Sequence, residues 1–419
     1  MVEKIVRMDQ INFFVVFVCG RLVCTKMCNM LCALSHYFHY LCSAMTLEQL
    51  SILNYKNIAE AQLRFSPKVN CLIGNNGMGK TNVLDAIYYL SYCRSYTSGN
   101  DHSAAITHEA PLMMLQGHYT RRGNTEDIAL SLQRGKRKMM KRNGKEYKRL
   151  SQHIGLLPLV MISPLDWDLI RGGGDERRRL MDQIISQGNK QYLDALIRYN
   201  KALEQRNSMI RHDYRDALLY ESVEQVMETT ATYIHEQRKQ WIEEFAPIFM
   251  RYYNAIAGDQ EQVRLGYKSH LSEMTMRQLL NANRDRDMLL GYTSRGVHRD
   301  DIELWLGSHS MRKTGSQGQC KTYTIALRLA QFEFLKKYTS TTPILLLDDI
   351  FDKLDEARVV SIINVVSNSQ DFGQIFITDT NRTHLDEIIA MMSGDYVMMA
   401  VENGDITTIA SHQEETKGQ

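Results

Sequence analysis

An α/β fold, with a mixed β-sheet and an inserted helical lobe, is what this sequence predicts, and three stretches carry the prediction. Gly74-Asn75-Asn76-Gly77-Met78-Gly79-Lys80-Thr81 matches G-x-x-x-x-G-K-[ST] at every fixed position. It lies between Val69–Ile73, which reads as a buried strand, and Asn82–Leu90, which reads as a helix. A second apolar run, Ile344 to Leu347, ends in two carboxylates, Asp348 and Asp349. Between the two, from Asp175 to about Ala257, apolar residues recur at three- and four-residue spacing, interrupted only by Gly188 and Pro247.

Taken in order from Met45, the residues Leu47, Leu50, Ile52, Leu53 and Tyr55 predict a first strand. Ala61–Phe65 alternates as a half-buried second strand, and Pro67 separates it from the strand feeding the glycine-rich loop. Cys93-Arg94-Ser95-Tyr96 is a basic, polar turn. Met113–Tyr119 and Ile128–Leu132 read as strands, followed by Arg134–Arg149, which holds nine Lys or Arg around Asn143-Gly144, a strong hairpin signal. Leu156–Pro164 is apolar. Gly172-Gly173-Gly174 then leads into Asp175-Glu176-Arg177-Arg178-Arg179, a helix start with acids in its first turn. Ile302–Leu306 predicts a strand, Cys320–Lys337 a helix, Phe376–Thr380 a buried strand, and 395–410 a hairpin turning at Glu402-Asn403-Gly404-Asp405. This gives an N-terminal half at 45–174, a helical lobe at 175–290, a C-terminal half at 291–410 and a loose tail at 411–419.

The first 44 residues read differently. They hold Cys19, Cys24, Cys28, Cys32 and Cys42, leaving three cysteines for the rest. The apolar run Ile11–Val18 is too short to span a bilayer. The spacing of Cys24, Cys28 and Cys32 lacks the paired knuckles of a structural zinc site. Met45 reads as the natural start of the domain, and 1–44 as an extension that is non-native or disordered.

The chemistry follows from residue types. In the loop, glycines let successive N–H groups curl toward phosphate oxygens, Lys80 reaches the outer phosphates, and the Thr81 hydroxyl can ligate Mg²⁺. Asp348, at a strand end, can hold the same Mg²⁺ through its water shell, and Asp349 can orient an attacking water. Ser316-Gln317-Gly318-Gln319, before a helix, offers a hydroxyl, free N–H groups and a positive helix end. A simple N-cap is the weaker alternative reading of that serine. A second anion site in such a chain suggests a nucleotide shared between two copies.

These motifs together resemble the ABC-type ATPases of DNA maintenance, and among them the RecF family of recombination mediators. The resemblance spans about 46–410. It also rests on Asn54-Tyr55-Lys56-Asn57, Arg94-Ser95-Tyr96, Gly172–Asp182, Gly296–Asp301 and Asp348–Asp355. It implies an ABC-type ATPase head binding ATP and Mg²⁺. Gly74–Thr81 is then the Walker A loop, Ser316–Gln319 the signature turn reaching a partner subunit's γ-phosphate, and Asp348 and Asp349 the Walker B and hydrolytic carboxylates. Asp355 is the D-loop aspartate at the dimer seam. Members of the family are cytoplasmic, ATP-dependent homodimers that bind gapped DNA junctions and, with RecO and RecR, help load RecA. Ser163 stands where many such ATPases carry a glutamine, and Thr378-Asp379 where transporters carry a histidine, so the resemblance implies slow, DNA-stimulated hydrolysis used as a switch.

A net charge of +2 rules out binding to DNA through overall charge, so a local patch is required. Arg134–Arg149 and Arg177–Arg179 are the candidates, the first equally readable as a solvated edge strand. A transporter ATPase or an ATPase subunit of another DNA-maintenance complex is the alternative. About 235 residues between Thr81 and Ser316 argue against the first, and the absence of long heptad arms argues against an SMC-like second.

Overall fold

In the computed structural model, the described residues are 45–98, 103–107, 110–214, 216–258, 261–351, 356–368, 372–391 and 394–412. The extension 1–44 lies outside them, and so does Asp355.

The N-terminal half opens with β1 (Met45–Tyr55), β2 (Ile58–Arg64) and β3 (Val69–Ile73), followed by α1 (Lys80–Tyr92). It continues with β4 (Leu112–Arg121), β5 (Asn124–Gln133), β6 (Met139–Arg142), β7 (Lys145–Glu146) and β8 (Leu159–Ile162). Five helices come next: α2 (Trp167–Arg171), α3 (Gly174–Gly188), α4 (Lys190–Arg211), α5 (Ala217–Ala257) and, after β9 (Val263–Lys268), α6 (Met276–Ala282). Then follow α7 (Arg284–Leu290), β10 (Asp301–Leu306), β11 (His309–Ser310), α8 (Met311–Thr314), α9 (Gln317–Thr339) and β12 (Ile344–Asp348). The chain ends with α10 (Glu356–Asn368), β13 (Ile375–Asp379), α11 (Arg382–Met391), β14 (Tyr396–Glu402) and β15 (Asp405–His412). The predicted strands and helices at these positions form, including the Asn143-Gly144 hairpin, where Arg142 faces Lys145.

Three sheets result. An antiparallel sheet runs β2-β1-β4-β5-β6-β7, a small one runs β11-β10-β9, and the central sheet runs β15-β14-β3-β13-β12-β8. In the central sheet all neighbours are parallel except the β14–β15 hairpin. Strands β3, β13, β12 and β8 are apolar on both faces, as parallel strands covered on both sides must be. The period of two sorts their side chains between two cores. Leu72, Leu346, Phe376 and Met399 face the core built on α1 and the antiparallel sheet. Cys71, Leu345, Leu347, Ile377 and Met398 face the core shared with the helices.

The helical stretch is dominated by the 41-residue α5, which runs on through Pro247. Its apolar stripe lies along α9: Trp241 and Phe245 meet Phe334, and Phe249 and Tyr253 meet Tyr323. Among the described residues no helix is long and apolar enough to cross a membrane.

Candidate functional site at the carboxyl edge of the central sheet

Parallel strands deliver their C-terminal ends to one edge, which is where open α/β sheets bind ligands. Here β3 ends in the glycine-rich loop, β13 in Thr378 and Asp379, β12 in Asp348, and β8 in Ser163. Residues far apart in sequence therefore meet. The Thr81 hydroxyl, at the start of α1, donates to Asp348, with Oγ1 2.9 and 3.1 Å from the two carboxylate oxygens. The Thr378 hydroxyl donates to Asp348 Oδ1 at 2.9 Å and itself accepts the Asp349 N–H at 3.0 Å. Thr378 thus links the Asp348 carboxylate to the backbone of Asp349. Asp349 has a positive φ of 49°, a left-handed turn immediately after the strand.

Lys80 is buried, and its Nζ donates to the Gly74 and Asn75 carbonyls at 2.7 and 3.0 Å. Burial pulls its ammonium below the usual lysine range, opposed by Asp349, Asp348 and Asp379. The loop is braced from two sides that the sequence reading did not connect with it. Asn57, in the β1–β2 turn, donates to the Met78 carbonyl at 3.0 Å, and Gly404, in the β14–β15 turn, donates to the same oxygen at 2.9 Å. Gly79 has φ of 116°, and a Cβ there would come 2.8 Å from the Asn57 amide oxygen. At Gly74 a Cβ would come 2.3 Å from the Val401 carbonyl oxygen. Asn75, Asn76 and Gly77 are exposed along the loop. An ammonium, a hydroxyl and a buried carboxylate beside a helix N-terminus suit a polyphosphate with a divalent cation, held by Lys80 on one side and by Thr81 with Asp348 on the other.

Asp348 is 3 % exposed. Burial raises its carboxyl above the usual range, assisted by Asp349 and opposed by the Thr378 and Thr81 hydroxyls and Lys80. The folded protein therefore binds this proton more tightly than the unfolded chain does. Ligand-free stability should rise as pH falls through that range and be lowest above it. Asp348→Asn removes the charge but keeps an acceptor for Thr81, so the ligand-free variant should melt about 1–2 °C higher than the parent at neutral pH. Calorimetry at neutral and mildly acidic pH checks this. A variant less stable than the parent at neutral pH contradicts it.

Ser316 lies elsewhere. It is exposed and N-caps α9 in a capping box with Gln319, its oxygen 3.2 Å from the Gln319 N–H. Among the described residues no hydrogen bond links 316–319 to 74–81. Gln319 is tied instead to Glu261 at 3.0 Å, and a Cβ at Gly318 would come 2.5 Å from Arg358. Gln317 lines a cleft of about 300 Å³ with Ser163 and Asp349. Ser163 uses its hydroxyl to cap the turn to Asp166, accepting from the Leu165 N–H at 3.1 Å.

Two stretches quoted above without a role converge on one side chain. Asp85 of α1, fully buried, accepts from Tyr55 (2.8 Å), Ser95 (2.7 Å), the Tyr96 N–H (2.5 Å), Thr97 (3.1 Å) and Lys56. Tyr96 then bonds Asp166, which Arg328 of α9 holds at 2.5 Å. The helix behind the glycine-rich loop and the helix behind Ser316 are thus bridged by buried polar groups. The sequence reading gave Asp85 no role, and its apolar neighbours in α1 are the only local sign of its burial. His384, which the sequence reading passed over, lies 3.3 Å from Asp379.

Arg177–Arg179, the second candidate DNA contact, lies in the first turns of α3. Arg177 is 7 % exposed and forks onto Asp301 at 2.7 and 2.9 Å, Arg178 pairs with Asp175, and Arg179 pairs with Glu176 at 2.8 Å. Each is paired with a carboxylate of its own chain, Arg177 in a buried fork and Arg179 in an exposed pair one helical turn away.

The model of the RecF/RecN/SMC N-terminal domain matches residues 46–403. A DNA replication and repair protein RecF from Parabacteroides distasonis is 55% identical over 362 residues, covering 86% of this chain and 99% of that protein. A solved structure of the recombination mediator protein RecF–ATP in the RecFOR pathway superposes with a TM-score of 0.78 at 26% identity, over 88% of this chain and 100% of the other. The Smc head domain from Pyrococcus furiosus, at 17% identity and a TM-score of 0.53 over 88% and 96% of the two chains, shares the ABC-type head fold. Matched through nearly its whole described length, the chain belongs to the RecF family of ABC-type ATPases.

Proposed function

We propose that this protein is an ATP-dependent DNA-binding protein of DNA repair and replication, in which ATP clasps two copies of the chain together. Residues 45–174 and 291–410 form the ATPase head, and 175–290 are an inserted helical lobe. Gly74–Thr81 hold the triphosphate, Thr81 and Asp348 hold Mg²⁺, and Asp349 orients the water. Bound Mg²⁺ supplies charge neutralisation between the outer phosphates. With nucleotide bound, Lys80 would turn from its two carbonyl partners to phosphate oxygens, and Thr81 and Asp348 would hold the cation. Ser316–Gln319 and Asp355 of the second copy complete the site from across the seam. Slow hydrolysis, stimulated by DNA, reopens the dimer. Gapped DNA is the target, with RecO and RecR as partners and RecA loading as the outcome, in the cytoplasm.

One observation carries this reading: Lys80, Thr81 and Asp348 converge at the sheet edge while Ser316 stands exposed with no bond to them. A half-site is complete only with a second copy, and a bridging nucleotide stabilises that dimer by mass action.

Mixing two inactive variants tests it. Lys80→Met and Ser316→Arg should each fail to dimerise with ATP. Mixed in equal amounts, they should form heterodimers, each with one of its two sites intact, recovering up to about half of the parent's hydrolysis. Sedimentation and phosphate release read the result. No recovery on mixing rejects the shared site.

A further inference from the structure

We infer that the basic hairpin of β6 and β7, with its flanks, is the surface on which the phosphate backbone of DNA lies. This rests on the DNA-binding reading above and assigns it a place. Lys136, Arg137, Lys141, Lys145, Lys148 and Arg149 are all exposed, and among the described residues none of them forms an ion pair or side-chain hydrogen bond. The other cations of the stretch are occupied: Arg142 by Glu126, Lys138 by the Cys93 carbonyl, and Arg134 by the Ala110 carbonyl. The contrast with Arg177–Arg179, each engaged by a carboxylate of its own chain, separates the two basic stretches that sequence alone could not rank.

Protection of a sheet edge is the simpler explanation of such lysines, and it falls short here. β7 is the edge strand and only two residues long, which already blunts the edge. The register sets Lys145 opposite Arg142, which Glu126 already holds, and Lys141 opposite Glu146. Glu146 is the only carboxylate between residues 134 and 150. Six cations without an ion pair around one hairpin form a local positive patch, which a polyanion would engage more strongly than solvent alone. Between the hairpin and its flanks, a cleft of about 250 Å³ is lined by Arg137, Lys138, Tyr147 and Lys148, with Glu146 as its one carboxylate. It gives a backbone phosphate a recess with cations on its rim.

The surface is also anchored where DNA can bear on the nucleotide site. Lys138 reaches back over the Tyr89 ring and bonds the Cys93 carbonyl, while Met140 lies 3.3 Å from the Cys93 sulfur. Cys93 is the C-cap of α1, the helix whose first residues are Lys80 and Thr81. A lysine at that end suits the helix dipole. The hairpin therefore sits on one end of a 13-residue helix and the glycine-rich loop on the other.

The test uses the full chain with ATP and Mg²⁺ and the triple variant K141Q/K145Q/K148Q. Binding to duplex, gapped and single-stranded DNA is followed by fluorescence anisotropy from about 50 to 200 mM salt, where backbone contacts reveal themselves. The triple variant should bind at least about tenfold more weakly, with a salt slope lower by about 3, one per lost phosphate contact. ATP-dependent dimerisation and the melting temperature should not change, and R178Q/R179Q should bind DNA like the parent. Loss confined to duplex or to single strand supports the assignment and names the form that the hairpin grips. If the triple variant is unstable, K136Q/R137Q must show the same direction with a slope lower by about 2. Parent-like affinity and slope in both hairpin variants overturn the assignment while leaving DNA binding intact. A parent protein that binds none of the three DNAs overturns both.

Discussion

Lys80→Met is expected to weaken ATP binding about a hundredfold while leaving the fold in place. In the ligand-free protein the ammonium is buried and held by two carbonyls of its own loop, at 2.7 and 3.0 Å. Those bonds fix the side chain inside the loop's curve, with three carboxylates keeping it charged against the pull of burial. Two charge-assisted bonds to phosphate oxygens at about 1.5 kcal/mol each correspond to roughly two decades in affinity. Methionine keeps the length and apolar stem and removes only the donor. The loop's shape survives, because Asn57 and Gly404 brace it through the Met78 carbonyl. Equilibrium binding of a fluorescent ATP analogue, with a melting curve as control, reads both halves of the prediction. Affinity within threefold of the parent removes Lys80 from the site.

Arg238→Met should be the most destabilising single change in the helical region, by about 3–5 kcal/mol. The guanidinium is 1 % exposed. It donates to Tyr192 (2.9 Å), the Val297 carbonyl (2.7 Å), Asp300 (2.7 Å) and Asp182 (2.8 Å). It thereby pins α5 to α3, α4 and the turn before β10. Methionine fills much of the volume but leaves the fully buried Asp300 with Tyr267 as its remaining side-chain donor. An unpaired buried charge costs far more than the pair contributes. Urea unfolding monitored by circular dichroism measures the loss. A midpoint within about 0.3 M of the parent, well under 1 kcal/mol, defeats the argument.

Legibility in the sequence followed the range of the interactions. The hairpin at Asn143-Gly144, the strand at Val69–Ile73 and the helix from Lys80 were readable because neighbouring residues set their backbone conformation. The bracing of the loop by the Asn403-Gly404 turn was not. The β14–β15 hairpin reads as a terminal appendage until the parallel pairing of β14 with β3 sets it beside the loop. Asp85 was hidden for a similar reason. Its donors come from 10 to 30 residues away in segments whose convergence no local pattern encodes. Arg177–Arg179 and Arg134–Arg149 looked alike as basic runs, since charge is visible in a sequence and its neutralisation is not.

By itself, the sequence determined that a glycine-rich loop sits between a strand and a helix, and that a buried strand ends in two carboxylates. It also determined that a helical stretch separates them. Each is a property of contiguous residues, written in backbone propensity and in a period of two or 3.6. Only the tertiary structure decided that Thr81 and Asp348, 267 residues apart, share a hydrogen bond. It also decided that Ser316 stands apart from them and that, of the two basic stretches, the one around the β6–β7 hairpin keeps unpaired cations. These are outcomes of strand order and of which charges find partners, and both are settled by the packing of distant segments.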